Sequence, residues 1–83
     1  MYRFVDERSA LEEAGYRPTL CVDHADWSSL TMWVAHDPDD DASFYETLAH
    51  IRKIVGEYDC HATETDQLRD RADGRRRQVI VVR

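Results

Sequence analysis

The chain has 83 residues, of which 17 are acidic and 11 basic, for a formal net charge of −6. That length suits one domain, 1–83, and a hydrophobic content of 42% supplies one modest core and excludes a disordered chain. No apolar run approaches the ~20 residues of a membrane span, residues Met1–Arg8 hold no apolar leader segment, and the acidic balance opposes indiscriminate coating of nucleic acid or anionic membrane; a cytoplasmic location with no membrane contact is the expectation.

In chain order, Tyr2–Asp6 alternates aromatic and charged residues and predicts a short strand. Ser9 and Glu12 have the spacing of a capping box, which predicts a helix over 9–14 ending at Gly15, with Pro18 preventing its continuation. Thr19–His24 and Leu30–His36 alternate as strands, joined by a short polar connection that carries Trp27. Asp37–Asp41 opens a second helix, capped by Asp37 with Pro38 in the first turn or by a Ser43–Glu46 box. Its apolar stripe is Phe44, Leu48, Ile51, Val55 and Tyr58, one helical face, with Gly56 marking its end. A strand follows near Cys60, and Gln78–Val82 is a β-branched final strand. Asp73-Gly74 reads as the two-residue turn of the last hairpin, which sets Asp70 against Arg77, Leu68 against Val79 and Arg71 against Arg76. The fold class is α+β: a small antiparallel sheet with two helices in the order β-α-β-β-α-β-β, ferredoxin-like or an irregular variant of it.

The net charge conceals a division. Residues 1–68 carry 15 acids and 5 bases, an acidic body of −10, whereas residues 69–83 carry 2 acids and 6 arginines, a basic hairpin strand of +4. Asp37, Asp39, Asp40, Asp41 and Glu46 gather on one loop and helical turn, and such closely spaced carboxylates suit docking to a basic protein surface. Trp27 and Trp33 lie off the predicted core stripes and are the candidate apolar anchors of that contact. Arg69, Arg71, Arg75, Arg76 and Arg77 surround the last turn and form the alternative site, a basic hairpin able to clasp phosphates. The opposite charges of body and hairpin also suit self-association.

Catalytic and metal chemistry find little footing. Cys21, His24, Cys60 and His61 are the right number and type for tetrahedral zinc, but alternation along a strand turns the two members of each local pair to opposite faces. The same divergence separates Cys60 from His61 as nucleophile and base. The three glycines, Gly15, Gly56 and Gly74, are scattered at turns and helix ends, so no phosphate-cradling loop exists. No cofactor, metal or enzymatic activity is expected, and the two cysteines are expected to be reduced. In size, charge and want of catalytic motifs the chain resembles the small acidic α+β proteins with which phages block host nucleic-acid machinery, anti-CRISPR proteins among them. That resemblance implies a non-enzymatic inhibitor that occupies the nucleic-acid-binding site of a basic partner. The alternative is a nucleic-acid-binding or regulatory domain that uses the arginine hairpin.

Overall fold

The computed structural model describes every residue, Met1–Arg83. Its elements are α1 (Val5–Glu13), β1 (Thr19–Val22), β2 (Ser28–His36), α2 (Asp41–Gly56), β3 (His61–Arg71) and β4 (Gly74–Val82). The strands form one antiparallel sheet in the order β1-β2-β4-β3. The α+β class is as the sequence predicts, and the element order departs from it at the N-terminus. No strand forms over Tyr2–Asp6; Phe4 adopts a left-handed conformation (φ 52°) and the chain enters α1 directly. The reason is burial: Phe4, Glu7 and Leu11 are spaced for one helical face and all three are within 1% of full burial. Ser9 therefore lies inside the helix and caps nothing. Gly15 does close α1, at φ 96°, with Gly15 N–H donating to Glu12 O and Tyr16 N–H to Leu11 O, the paired bonds of a Schellman motif.

The α2 stripe is largely as its spacing predicts: Phe44, Leu48, Ile51 and Val55 are buried, while Tyr58 lies beyond the helix and is 36% exposed. Neither expected cap is used. Asp40 is the N-cap and accepts from Ser43 N–H, and the Asp37 carboxylate instead accepts from Asp39 N–H within the preceding turn. The C-terminal turn is completed by Asp59 at φ 59°, with Cys60 N–H donating to Val55 O. α2 lies across β2, β3 and β4, and α1 packs on α2. Between helices and sheet sit Leu30, Met32 and Val34 of β2, Val79 and Val81 of β4, and Cys60 and Ala62. The other sheet face has no helix over it.

The last hairpin is shifted by two residues from the predicted register. Its turn is Ala72-Asp73, and Asp70 faces Arg75, Arg69 faces Arg76 and Leu68 faces Arg77. A two-residue shift keeps every side chain on its own face, so burial does not choose between the registers. Gly74 does. It sits at φ 136°, and a Cβ there would lie 3.0 Å from the carbonyl oxygen of His36, so only glycine permits the close approach of β2 to this turn. An irregularity between Glu64 and Leu68 then restores the pairing of Ala62 with Val81 in the core. No helix is long and apolar enough to cross a membrane.

Candidate functional site

The register shift determines what the hairpin arginines do. Arg75 Nε lies 2.6 Å from Asp70 Oδ1, and Arg76 clasps Asp73 at 3.2 Å with both terminal nitrogens. Each pair holds its aspartate below the usual carboxylate range and raises its arginine, chiefly by the hydrogen bonds between them. Arg77 turns inward. Its guanidinium donates to Asp41 at 2.9 Å, to Glu64 at 3.4 Å and to His36 Nε2 at 3.1 Å, and it lies over the Phe44 ring. His36 Nδ1 faces the Asp37 carbonyl at 2.8 Å. A carbonyl only accepts, so Nδ1 carries the proton and Nε2 is free to accept from Arg77. Tyr45 donates to the other oxygen of Glu64 at 3.0 Å. Of the alternative basic site, Arg75, Arg76 and Arg77 are thus matched by carboxylates of the same chain. Arg69 covers the Trp33 ring at 4.3 Å, and Arg71 lies at the exposed strand end.

The acidic loop has parallel internal duties. Asp37 shapes the turn, Asp40 caps α2 and Asp41 holds Arg77, which leaves Asp39 and Glu46 as exposed carboxylates with no partner in the chain. The predicted anchors are not beside them. Trp27 precedes β2 and the acidic loop follows it, so the nine residues of β2 separate them by about 30 Å. Trp33 lies on the helix-free face.

Around Trp27 the chain forms a feature not anticipated from the sequence, an open groove of about 680 Å³ whose walls are mainly apolar, from Tyr2, Val22, Ile80 and Val82. Trp27 stands at its lip, 76% exposed. The hairpin loop holds it there, because Asp23 Oδ1 accepts from the N–H groups of Ala25 and Trp27 while Asp23 N–H donates to Trp27 O. Charges of both signs border the groove, Asp23 and Asp26 on the loop and Arg83 over the Tyr2 ring at 4.5 Å. In the folded strand β4 turns Ile80 and Val82 away from the core that receives Val79 and Val81, and the only trace of this in the sequence is the unbroken apolar run Val79–Val82.

Beneath this end of the sheet lies a buried polar cluster. Glu7 is 1% exposed, and its Oε2 accepts from the Cys60 thiol at 3.4 Å while its Oε1 has no hydrogen-bond partner. Burial first, and then the Glu7 carboxylate, push the Cys60 thiol up to about 11. Tyr2 is pushed up to about 12, first by the nearby Glu7 carboxylate and then by burial. Cys60 is consequently a protonated, enclosed thiol at neutral pH, the reverse of an activated nucleophile. Cys21 is exposed and free on the groove side, so the two cysteines do not meet, and nowhere do three histidine, cysteine or carboxylate side chains converge as metal ligands.

This cluster gives the protein an alkaline limit. Cys60 and Tyr2 hold their protons more tightly folded than unfolded, so their contribution is complete below the unfolded values near 9 and 10 and is lost as pH rises through about 11 and 12. Chemical denaturation from pH 8 upward is expected to show stability falling from pH 9. Cys60→Val is expected to remove the part of that slope between about 9 and 11. An identical slope in the variant would refute the assignment to Cys60.

The class defined by fold and site is a two-helix, four-stranded antiparallel α+β domain with one open sheet face. No known family model, curated protein or solved structure matches this chain.

Proposed function

We propose that the protein is a non-enzymatic binding module that engages a basic partner surface through its acidic side, the loop Asp37–Asp41 with Glu46, and that it acts as an inhibitor by occupying a nucleic-acid-binding site. The observation that carries this reading is the fate of the hairpin arginines. Arg75 and Arg76 pair with Asp70 and Asp73 of the same segment and Arg77 with Asp41 and Glu64 of the body, so the arginines left without a carboxylate stand apart, Arg69 over Trp33, Arg71 at the strand end and Arg83 over Tyr2, and do not cluster at the turn. Phosphate recognition needs cations that are available to exchange counterions, and these three are already engaged. Asp39 and Glu46 remain free to meet arginines and lysines of another protein, with the steering and salt sensitivity of such contacts.

The same geometry selects the test. Reversing Asp40 or Asp41 would also remove a helix cap or an ion pair of the fold, so the informative variant is Asp39→Lys with Glu46→Lys. Affinity capture from the source cell is expected to retain a basic nucleic-acid-binding protein on the native chain and to lose it on this variant at an unchanged melting temperature. Equal capture by both would reject the acidic face. Tight, Arg71-dependent binding of random-sequence DNA or RNA would support the hairpin reading in its place.

A further inference from the structure

We infer that two copies of this chain associate about a two-fold axis through the Trp27 groove, each inserting its indole into the hollow of the other. A two-fold contact is made by one patch that must be complementary to itself. This patch carries both halves of such a contact. Trp27 projects from its lip with 76% of its surface exposed, although four hydrogen bonds tie the backbone of the loop beneath it, so the indole is presented from a fixed position with little packing role in its own fold. Beside it the groove of about 680 Å³ is ample for an indole and is walled by Val22, Ile80 and Val82. Its charges are self-complementary as well. Asp26 on the Trp27 loop and Arg83 just past β4 both line the groove, so a two-fold contact through it can set Asp26 of each copy against Arg83 of the other. A heterologous basic partner would be served by Asp23 and Asp26 but opposed by Arg83; a second copy satisfies both signs.

The groove and its lips involve 12 residues. A standard interface takes about 800 Å² and roughly 20–30 residues from each partner, and 800 Å² would be about one-seventh of this chain's 5610 Å² surface. The dimer is therefore one that dissociates on dilution. It would leave both acidic loops at its outer ends, about 30 Å from the contact along β2, and so would present two copies of the acidic face at once.

Sedimentation velocity of the full chain, from low micromolar to near-millimolar concentration, tests this. The native protein is expected to move from the mass of one chain to that of two. Trp27→Ala is expected to raise the dissociation constant at least about tenfold, as loss of a central aromatic anchor does, with no change in melting temperature. Arg83→Glu and Asp26→Lys each place like charges across the axis and are expected to be monomeric alone, and to form a dimer when mixed, because the exchange restores both ion pairs. A native chain that stays monomeric throughout, a dimer indifferent to Trp27→Ala, or a mixture that fails to associate would each overturn the proposal. Asp39→Lys with Glu46→Lys leaves the dimer intact, which separates this result from the fate of the acidic-face reading.

Discussion

Arg77→Ala is expected to lower the unfolding free energy by about 2–3 kcal/mol, the cost of removing a largely buried cation and leaving its hydrogen-bond partners unsatisfied. The Arg77 side chain is only 14% exposed and joins three elements: Asp41 at the start of α2, Glu64 on β3 and His36 at the end of β2. Its loss leaves two carboxylates near one another and a histidine acceptor without a donor. The figure is held below that of a fully buried pair because Asp41 is 56% and Glu64 35% exposed, so water screens part of the repulsion. At this size each kcal/mol shifts the melting temperature by about 4–8 °C, so a fall of about 10–20 °C is expected. Arg77→Lys keeps the charge and loses the planar fork that reaches three acceptors, and should recover less than half of the loss. Asp41→Asn should cost under about 1 kcal/mol, because it removes one half-exposed partner of several. If Arg77→Ala unfolds within about 0.5 kcal/mol of the native chain, the hub is not what joins β2, β3 and α2.

How much of this was legible follows from which forces the sequence displays. The α2 stripe and the alternation of β2 are periodic, and Phe44, Leu48, Ile51, Val55, Leu30, Met32 and Val34 are indeed in the core, whereas the unbroken β-branched run of β4 marks a strand without marking which of its residues face inward. The first strand was misread because Tyr2–Asp6 alternates over only five residues. The buried set Phe4, Glu7, Leu11 has a carboxylate in its middle, and a carboxylate masks an apolar helical face. The hairpin register eluded composition because Asp73-Gly74 is a favoured turn dipeptide. Gly74 is instead required beside the His36 carbonyl, a contact between segments far apart in sequence. That single shift moved Asp70 from Arg77 to Arg75 and released Arg77 toward Asp41 and Glu64. The charge partition of the sequence was correct as arithmetic and incomplete as electrostatics, since it could not show that Arg75 and Arg76 pair with Asp70 and Asp73 inside the basic segment while Arg77 reaches Asp41 and Glu64 of the acidic body. The groove was hidden for a related reason: its walls come from the N-terminal segment, the first hairpin and the last strand.

Glu7→Met is expected to stabilise the protein by about 1–3 kcal/mol, the penalty for an enclosed polar group that lacks a full set of hydrogen bonds. Three interactions favour the native carboxylate. It lies in the first turn of α1, where the helix dipole offers about 0.3–1 kcal/mol. The Cys60 thiol donates to Oε2, but a thiol is a weak donor. Tyr2 holds its proton more firmly for the carboxylate's presence. Against these stand near-complete burial, an Oε1 without a partner and no cation among the groups that contact it. Methionine matches the volume, bends to fit an irregular space and removes the desolvation cost outright. Glu7→Gln keeps the shape and removes the charge, yet still encloses an amide whose donors need acceptors, so it should gain less than Glu7→Met. The alkaline behaviour identifies the cause. Glu7 is the leading influence on Tyr2 but ranks behind burial for Cys60. In Glu7→Met the stability lost as Tyr2 ionises should therefore shrink more than that lost as Cys60 ionises. A Glu7→Met variant less stable than the native chain would mean that the carboxylate is held by interactions stronger than a thiol and a helix end can supply.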